Sequence, residues 1–535
     1  MREAGQARLA VAWIALSAAL TGGPYLAAWA AARPGWRYLW ILPPYAPDSQ
    51  AYMVWARQAY DGAWLFRDKL TAYPHDAFLF HPFFLALGRL AAVSGAGLGP
   101  TALALKTAGV VVFWLAFWRL ARTLGFTFGQ TAAATALAGA CAGLGGLALL
   151  TLGVGGLHGC IPIDIWLIDA NTLWAMAWNP LFPWSMALLL FYADAVDRAS
   201  RDGSAAPAWA AGAALAGLLL VHPYAAPLAL GLALALAALR RRAWFLAPTL
   251  ACAAPVLAYL LWESSVNPLV RRHGDMGLML TPSWAAVLLG LAPLLLLSAS
   301  APAPRDFAKR HAVLILWAAA ALALARVPVW YQRKLLFGAQ LPLALLAGSA
   351  VVERARVRGR PLVAWGLVAA ALAASAPSWG YIAYNTRLSL SALDSGDYYA
   401  RAQVLDALSF LGSVGSREDV VLSTPDDGTL VALFSGKTAV WGHWAQSVDY
   451  FEVDRWFGSL AKPGDPRAKA RALWSRVGYV FASGGLKQQI DGGELGWLRT
   501  QSRLLYSNGE AAVYGPPQPG PSRPPSPGAP RPARS

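Results

Sequence analysis

Along the first 380 or so positions, apolar runs of about 17–25 residues alternate with short polar, arginine-bearing interruptions, and each run is long enough to cross a hydrocarbon core as a helix. The interruptions count the crossings. Basic clusters stand at Arg119/Arg122, Arg198/Arg201, Arg240–Arg241–Arg242, Arg305/Lys309/Arg310 and Arg354/Arg356/Arg358/Arg360, and such clusters favour the cytoplasmic side. Pairs of runs fit between neighbouring clusters: about 130–152 and 172–195, 206–221 and 224–239, 243–262 and 283–301, 310–327 and 335–352. A last run, about 361–381, leads outward.

One run upsets this count. If residues 77–99, "AFLFHPFFLALGRLAAVSGAGLG", crossed together with 101–120, every later basic cluster would lie outside. The pattern therefore predicts an in-plane or re-entrant element at 77–99 and the second true span at 101–120. As a single helix, 206–239 would be about 51 Å long, too much for one crossing, and "HPY" at 222–224 marks a hairpin turning at His222. With Arg2 and Arg8 holding the N-terminus in the cytoplasm and the first run read as a retained anchor, the expectation is about eleven transmembrane helices.

The predicted fold is thus a polytopic α-helical membrane protein, multi-pass in the plasma (inner) membrane. Its transmembrane domain is 1–381, with outer loops 33–100, 153–172 and 263–282 and a short one, "VPVWYQRK", at 327–334. Residues 382–514 are less apolar. Strand-like runs ("DVVLS", "GYVFA", "SRLLYS", "EAAVY") alternate there with helical ones ("RAQVLDALSFLG", "YFEVDRWFGSL"), which predicts a small extracytoplasmic α/β domain. The Pro-rich tail, 515–535, is expected to be disordered.

Composition agrees. The chain has 535 residues, 57% of them hydrophobic and 13% charged, against roughly a quarter charged in soluble domains. A net charge of +16 would suggest nucleic acid, but the arginines sit in short loops between apolar runs, where they set topology. Cys141, Cys160 and Cys252 lie in or beside apolar runs without ligand spacing, which argues against a disulfide framework or a zinc site.

The candidate chemistry lies in the outer loops. "PPYAPDSQAYMVWARQAYDG" places Asp48 ahead of a short helix on which Tyr52, Trp55 and Tyr60 approximate one face. Asp48 can cap that helix, or act as a general base beside aromatic surfaces suited to sugar rings; the two are compatible. The next acidic loop, "LHGCIPIDIWLIDANTLWAMAWNPLF", carries Asp164, Asp169, Asn171 and Asn179 at the mouth of a span. One residue, Asp169 or Asn171, would suffice as a cap, and carboxylates entering a span tend to face a cavity or a partner. Arg271 and Arg272, and Arg333 and Lys334, run against the positive-inside trend. Anion binding explains them, as does headgroup contact by snorkelling side chains. His81 and His222, each followed by proline, read first as packed histidines at helix ends and second as substrate contacts.

An Asp shortly after the first span, "HPFF" leading into an in-plane helix, an acidic loop before "NPLFPWSMALLL" and an outward C-terminal domain together resemble the GT-C superfamily of membrane glycosyltransferases. The nearest likeness is to poorly characterised prokaryotic members similar to the protein mannosyltransferase group. Their Asp-x-Trp-x-x-acid loop corresponds to "DIWLIDANT", which places Asp164, Trp166 and Asp169, and their Gly-His-Trp segment places His443 and Trp444. The chain departs in having a single Asp48 where many relatives carry an adjacent acidic pair.

The resemblance implies inverting transfer of a sugar from a polyprenyl-phosphate carrier to an extracytoplasmic glycan, lipid or protein. Asp48 would be the base, while Asp164, Asp169, Asn171, His81, His222, Tyr52, Trp55, His443 and Trp444 would line the substrates. Arg333 and Lys334, or Arg271 and Arg272, would hold the lipid phosphate. No cofactor is required; a divalent metal on Asp48 and Asp169 is compatible but not demanded. The rival class is a multi-span lipid or solute transporter or flippase, which should place its charges near the midplane and show repeated halves. A GT-C-like scaffold without activity is the third reading.

Overall fold

The computed structural model describes residues 2–157, 159–267, 269–270, 278–392, 396–459, 476–493, 495–496, 498–499 and 502–517. The membrane part is a helical bundle. Helices α1 (Arg2–Ala30), α2 (Ala46–Tyr60), α3 (Pro82–Ser94), α4 (Leu98–Thr123), α5 (Phe128–Ala140), α6 (Gly145–Gly156), α7 (Thr172–Trp178), α8 (Phe182–Asp202), α9 (Ala205–Val221), α10 (Ala226–Arg240) and α11 (Leu246–Val266) are followed by helices at Trp284–Ala299, Pro304–Arg310, Ala312–Leu324, Gln340–Val357 and Pro361–Ser391.

Each of the eleven expected crossings coincides with helix, but not all have the length and apolarity of a span. Among the described residues seven helices do, or eight if the bent pair Trp284–Ala299 and Pro304–Arg310 is one span. The other three are α8, whose last turns carry Asp194, Asp197, Arg198, Arg201 and Asp202, and the shorter apolar helices α9 and Ala312–Leu324. Helix α3 has 13 residues, about 20 Å, as has Ala312–Leu324, both shorter than a hydrocarbon core of roughly 30 Å. Helix α3 packs on α2 and α4, and α9 ends at His222, where the hairpin was expected.

One span is broken. Between α5 and α6 the backbone of 141–144 leaves the helix, and unpaired peptide groups are costly where water is scarce. Neighbours supply the missing bonds: Trp379 Nε1 donates to Ala140 O (2.8 Å), Ser375 Oγ to Ala142 O (3.0 Å) and Gln340 Nε2 to Cys141 O (2.5 Å). Asp164 Oδ2 accepts from Gly143 N (3.0 Å), Gly145 N (3.1 Å) and Ser378 Oγ (2.6 Å).

The C-terminal region forms a five-stranded sheet in the order β4-β3-β5-β7-β6. Its strands are β3 (Val420–Leu422), β4 (Thr438–Ala439), β5 (Val477–Ser483), β6 (Ser502–Ser507) and β7 (Ala511–Pro517). The pairs β3/β4 and β3/β5 are parallel; β5/β7 and β6/β7 are antiparallel. Alternation divides its residues between two cores. Val421, Phe481 and Val513 pack with Ala407, Leu408 and Leu411 of the helix Ala402–Ser413, while Leu422, Val480, Ala482 and Ala512 pack with Leu486 and Ile490 of the helix Gly484–Gly492.

The sheet domain is seated on the bundle through backbone pairing. β1 (Trp36–Tyr38) pairs antiparallel with β2 (Tyr399–Arg401). Ala439 N donates to Lys69 O (2.8 Å) and Ala72 N to Val440 O (3.2 Å), so residues 69–72 of the first loop run beside 439–441. Arg57 on α2 donates to the carbonyls of Leu433 (3.2 Å) and Phe434 (3.0 Å). A polypeptide more than 300 residues downstream is thereby held over α2.

Candidate active site

Helix α2 starts at Ala46. Its N-cap residue is Tyr45, in left-handed backbone (φ 65°) and without a side-chain capping bond. Asp48 sits in the first turn, where the helix dipole favours an acid, but its hydrogen bond goes elsewhere. His443 Nε2 lies 2.7 Å from Asp48 Oδ1. His443 Nδ1 accepts from Ala445 N (3.2 Å), which fixes the tautomer: Nε2 carries the proton and donates to the carboxylate. Of the two readings of Asp48, capping is not what its side chain does.

The loop that carries His443 is tightly held. Gly442 N donates to Ser447 Oγ (2.8 Å), which donates to Leu70 O (2.6 Å). Trp441 is fully buried and donates from Nε1 to Ser423 O (2.8 Å). A Cβ on Gly428 would lie 1.9 Å from the Trp441 carbonyl, so only glycine permits this approach. Trp444 stacks on His443 at 5.9 Å and is exposed.

Asp169 forms the second pair. It is buried in a short 3₁₀ turn, Ile168–Ala170, and its Oδ2 lies 3.2 Å from Lys334 Nζ. Its other oxygen, Oδ1, has no hydrogen-bond partner among the described residues, and neither has Arg333 Nε. The Arg333 guanidinium lies 5.6 Å over the Trp166 ring, and Tyr45 donates its hydroxyl to Trp166 O (3.4 Å).

The two pairs share one electrostatic environment. Burial alone would raise the Asp48 carboxyl, but the His443 hydrogen bond and the charges of Lys334 and Arg333 outweigh it and hold the group below its ordinary 3.8. The Tyr52 hydroxyl is pushed far up by burial, then by the Asp48 charge and, more weakly, by Asp169. Both aspartates also act on Tyr45, alongside Arg333. The result is an ionised carboxylate facing cations, with aromatic hydroxyls that stay protonated as donors.

Other expected residues fall elsewhere. Asp164 does not join the cluster: its Oδ2 is committed to the broken span, while its Oδ1 is buried and has no partner among the described residues. Asn171 caps α7 through Trp174 N (3.2 Å), and Asn179 Oδ1 accepts from Leu181 N (2.9 Å). Tyr52 stacks on Phe84 of α3 (5.6 Å) and Trp55 meets the same ring edge-on (5.4 Å), so both pack against α3. His81 Nε2 bonds the Val221 carbonyl (3.2 Å), and His222 packs on Phe337 (4.3 Å). Both are buried, as the packed-histidine reading has it. Arg271 and Arg272 lie outside the described residues. Tyr45 and Tyr224, neither of them expected, stand within electrostatic reach of both Asp48 and Asp169; "PPY" and "HPY" mark the chain breaks that present them. Among the described residues no three His, Cys, Asp or Glu side chains gather as a metal site would require.

No family model and no curated protein matches the chain; solved structures do. A structure of a variant of arabinofuranosyltransferase AftD from Mycobacteria aligns with TM-score 0.51 and 16% identity over 95% of this chain and 42% of that one. The present chain therefore spans about two fifths of its length. ArnT from Cupriavidus metallidurans bound to undecaprenyl phosphate aligns with TM-score 0.49 and 13% identity over 94% and 98% of the two chains. Archaeal oligosaccharyltransferase AglB from Archaeoglobus fulgidus, in complex with an inhibitory peptide and a dolichol-phosphate, gives TM-score 0.48 and 13% identity over 95% and 74%. At such identities the likeness is one of architecture. The class it defines is a multi-pass membrane protein with the GT-C fold.

Proposed function

We propose that the chain is a membrane glycosyltransferase that moves a sugar from a polyprenyl-phosphate carrier to an acceptor hydroxyl with inversion. The observation that carries this reading is the placing of an ionised Asp48, oriented by His443, in the field of Lys334 and Arg333. A carboxylate alone would suit many reactions. A carboxylate beside cations meets the two needs of this one.

The acceptor oxygen attacks the anomeric carbon, and its proton passes to Asp48. The bond from that carbon to the phosphate oxygen breaks, and its electron pair leaves with the polyprenyl phosphate. Asp48 must lie within hydrogen-bond reach of the hydroxyl, and the charge gathering on the phosphate is stabilised by Lys334 and Arg333. Asp169 holds Lys334 and keeps Oδ1 for a sugar hydroxyl. His443 is a positioning residue, since it acts through Asp48. The GT-C fold, shared with a protein named an arabinofuranosyltransferase, supports the reading, and the arginine clusters of the short loops support an extracytoplasmic site.

The test is transfer itself. The full chain, purified in lipid, is given radiolabelled polyprenyl-phosphate hexoses and pentoses with total membrane acceptors, and release of polyprenyl phosphate is followed. Release by the natural protein and its loss in Asp48→Asn is the expected outcome. Equal release by both proteins would remove Asp48 from the reaction, and no release from any donor would sink the reading.

A further inference from the structure

Helix α2 has a second face. Asp48, Tyr52 and Trp55 share one side at helical spacing, and Met53, Arg57 and Tyr60 lie on the other. That other side walls a cleft of about 540 Å³, bounded also by the end of α1, the start of α4 and Leu433–Phe434 of the C-terminal domain. Its size is that of a small-molecule site.

The lining is specific. Trp29 and Trp40 stack at 6.3 Å with 28° between their planes, and Tyr60, 40% exposed, also lines the cleft. Trp40 holds a left-handed backbone (φ 61°), a conformation that bulky residues rarely adopt. A Cβ on Gly99 would lie 2.2 Å from Trp40 Cγ, so the indole is accommodated only because residue 99 is glycine. Among the described residues the ionic members of the lining are Arg37 and Arg57, and no carboxylate lines it. Arg57 is committed to Asp61 and two carbonyls, which leaves the exposed Arg37 as the cation open to a ligand.

We infer that this cleft is a second carbohydrate site, which takes an acidic oligosaccharide segment. The C–H faces of sugar rings stack on Trp29, Trp40 and Tyr60. Arg37 supplies the paired donors that a carboxylate accepts. The cleft lies one helix away from Asp48, about 10–12 Å, so a chain bound there would be held a few sugars from the reacting hydroxyl. Only that last consequence rests on the transferase reading; binding does not.

The experiment uses the full chain in phosphatidylcholine nanodiscs on an array of neutral and uronate-bearing oligosaccharides. Retention of uronate-bearing members is expected, weakened about tenfold in Trp40→Ala, as for loss of one aromatic anchor, and in Arg37→Ala, whose exposed side chain can be removed without unfolding. Asp48→Asn should bind as the natural protein does. Retention of no oligosaccharide above empty nanodiscs overturns the inference. So does affinity indifferent to Arg37→Ala, or binding lost in Asp48→Asn but kept in Trp40→Ala. Abolition of binding by phosphatidylglycerol nanodiscs, with recovery in Arg37→Ala, would assign the cleft to a lipid headgroup and also overturn it. Binding without transfer in the donor assay would defeat the proposed function and leave this site standing.

Discussion

Asp164 and Asp169 stand five residues apart in one loop, both buried, and they do opposite things. Asp164 faces backbone: two amides of a broken span and the Ser378 hydroxyl converge on one oxygen. Asp169 faces a cation, Lys334. On both residues the second oxygen, Oδ1, is buried without a partner among the described residues. The first arrangement holds the protein's own backbone; the second holds a cation. A buried carboxylate is therefore not a site by virtue of burial or of an unpaired oxygen. What it is bonded to decides.

The sharpest way to break that contrast begins at Asp48. Asp48→Asn should lower transfer by about 10³–10⁴-fold, at the upper end for a general base, with the unfolding temperature in detergent unchanged. Asp164→Ala should do the reverse. Loss of three hydrogen bonds to a buried carboxylate should cost about 3–5 kcal/mol of stability, read as an early thermal transition, while the protein that remains folded transfers at a near-normal rate. If Asp164→Ala folded normally and lost transfer, the contrast would be wrong.

Lys334→Met should lower kcat about 100-fold through the lost charge at the leaving phosphate, with Lys334→Arg retaining part of it. A smaller effect, roughly tenfold, belongs to His443→Gln, which loosens the orientation of the base. These two variants also carry a pH signature. Asp48 must be ionised to accept a proton, so activity is present above its pKa and is lost as pH falls through it. In the natural protein the acid limb should lie below 3.8, because His443, Lys334 and Arg333 depress the group. Removing His443 or Lys334 takes away part of that depression and leaves the burial that raises it, so the limb should move to higher pH. A limb that stays put would exclude electrostatic contact with Asp48. Gly428→Ala, which would press on the Trp441 carbonyl, should reproduce the His443→Gln loss in weaker form.

Much of this was legible in the sequence. Hydropathy and arginine placement gave the helical membrane class and a separate element at 77–99, within which α3 stands, because lipid demands long apolar helices and loop charge sets topology. Period-two runs marked β3, β5, β6 and β7. Asp48, Asp169, Lys334 and His443 could all be named beforehand. Three things could not be read. α8 is helical but too charged to count as a span by composition, since Asp194 and Asp197 are paired by Arg119 and Arg240 at 3.0 and 2.6 Å. The break at 141–144 has no signal in an apolar run rich in Gly and Ala. The work of Asp164 is set by amides that only the break exposes.

The sequence by itself determined which residues could carry charge near the ends of the apolar segments, because burial in lipid constrains each segment locally. Which of those residues meet was decided by the tertiary structure alone. His443 lies 395 positions from Asp48, and Lys334 lies 165 from Asp169. The first pair exists because residues 69–72 and 439–441 run together, and the second because the turn at 168–170 packs on the one at 332–336. Those contacts depend on packing between distant segments, which no local pattern records.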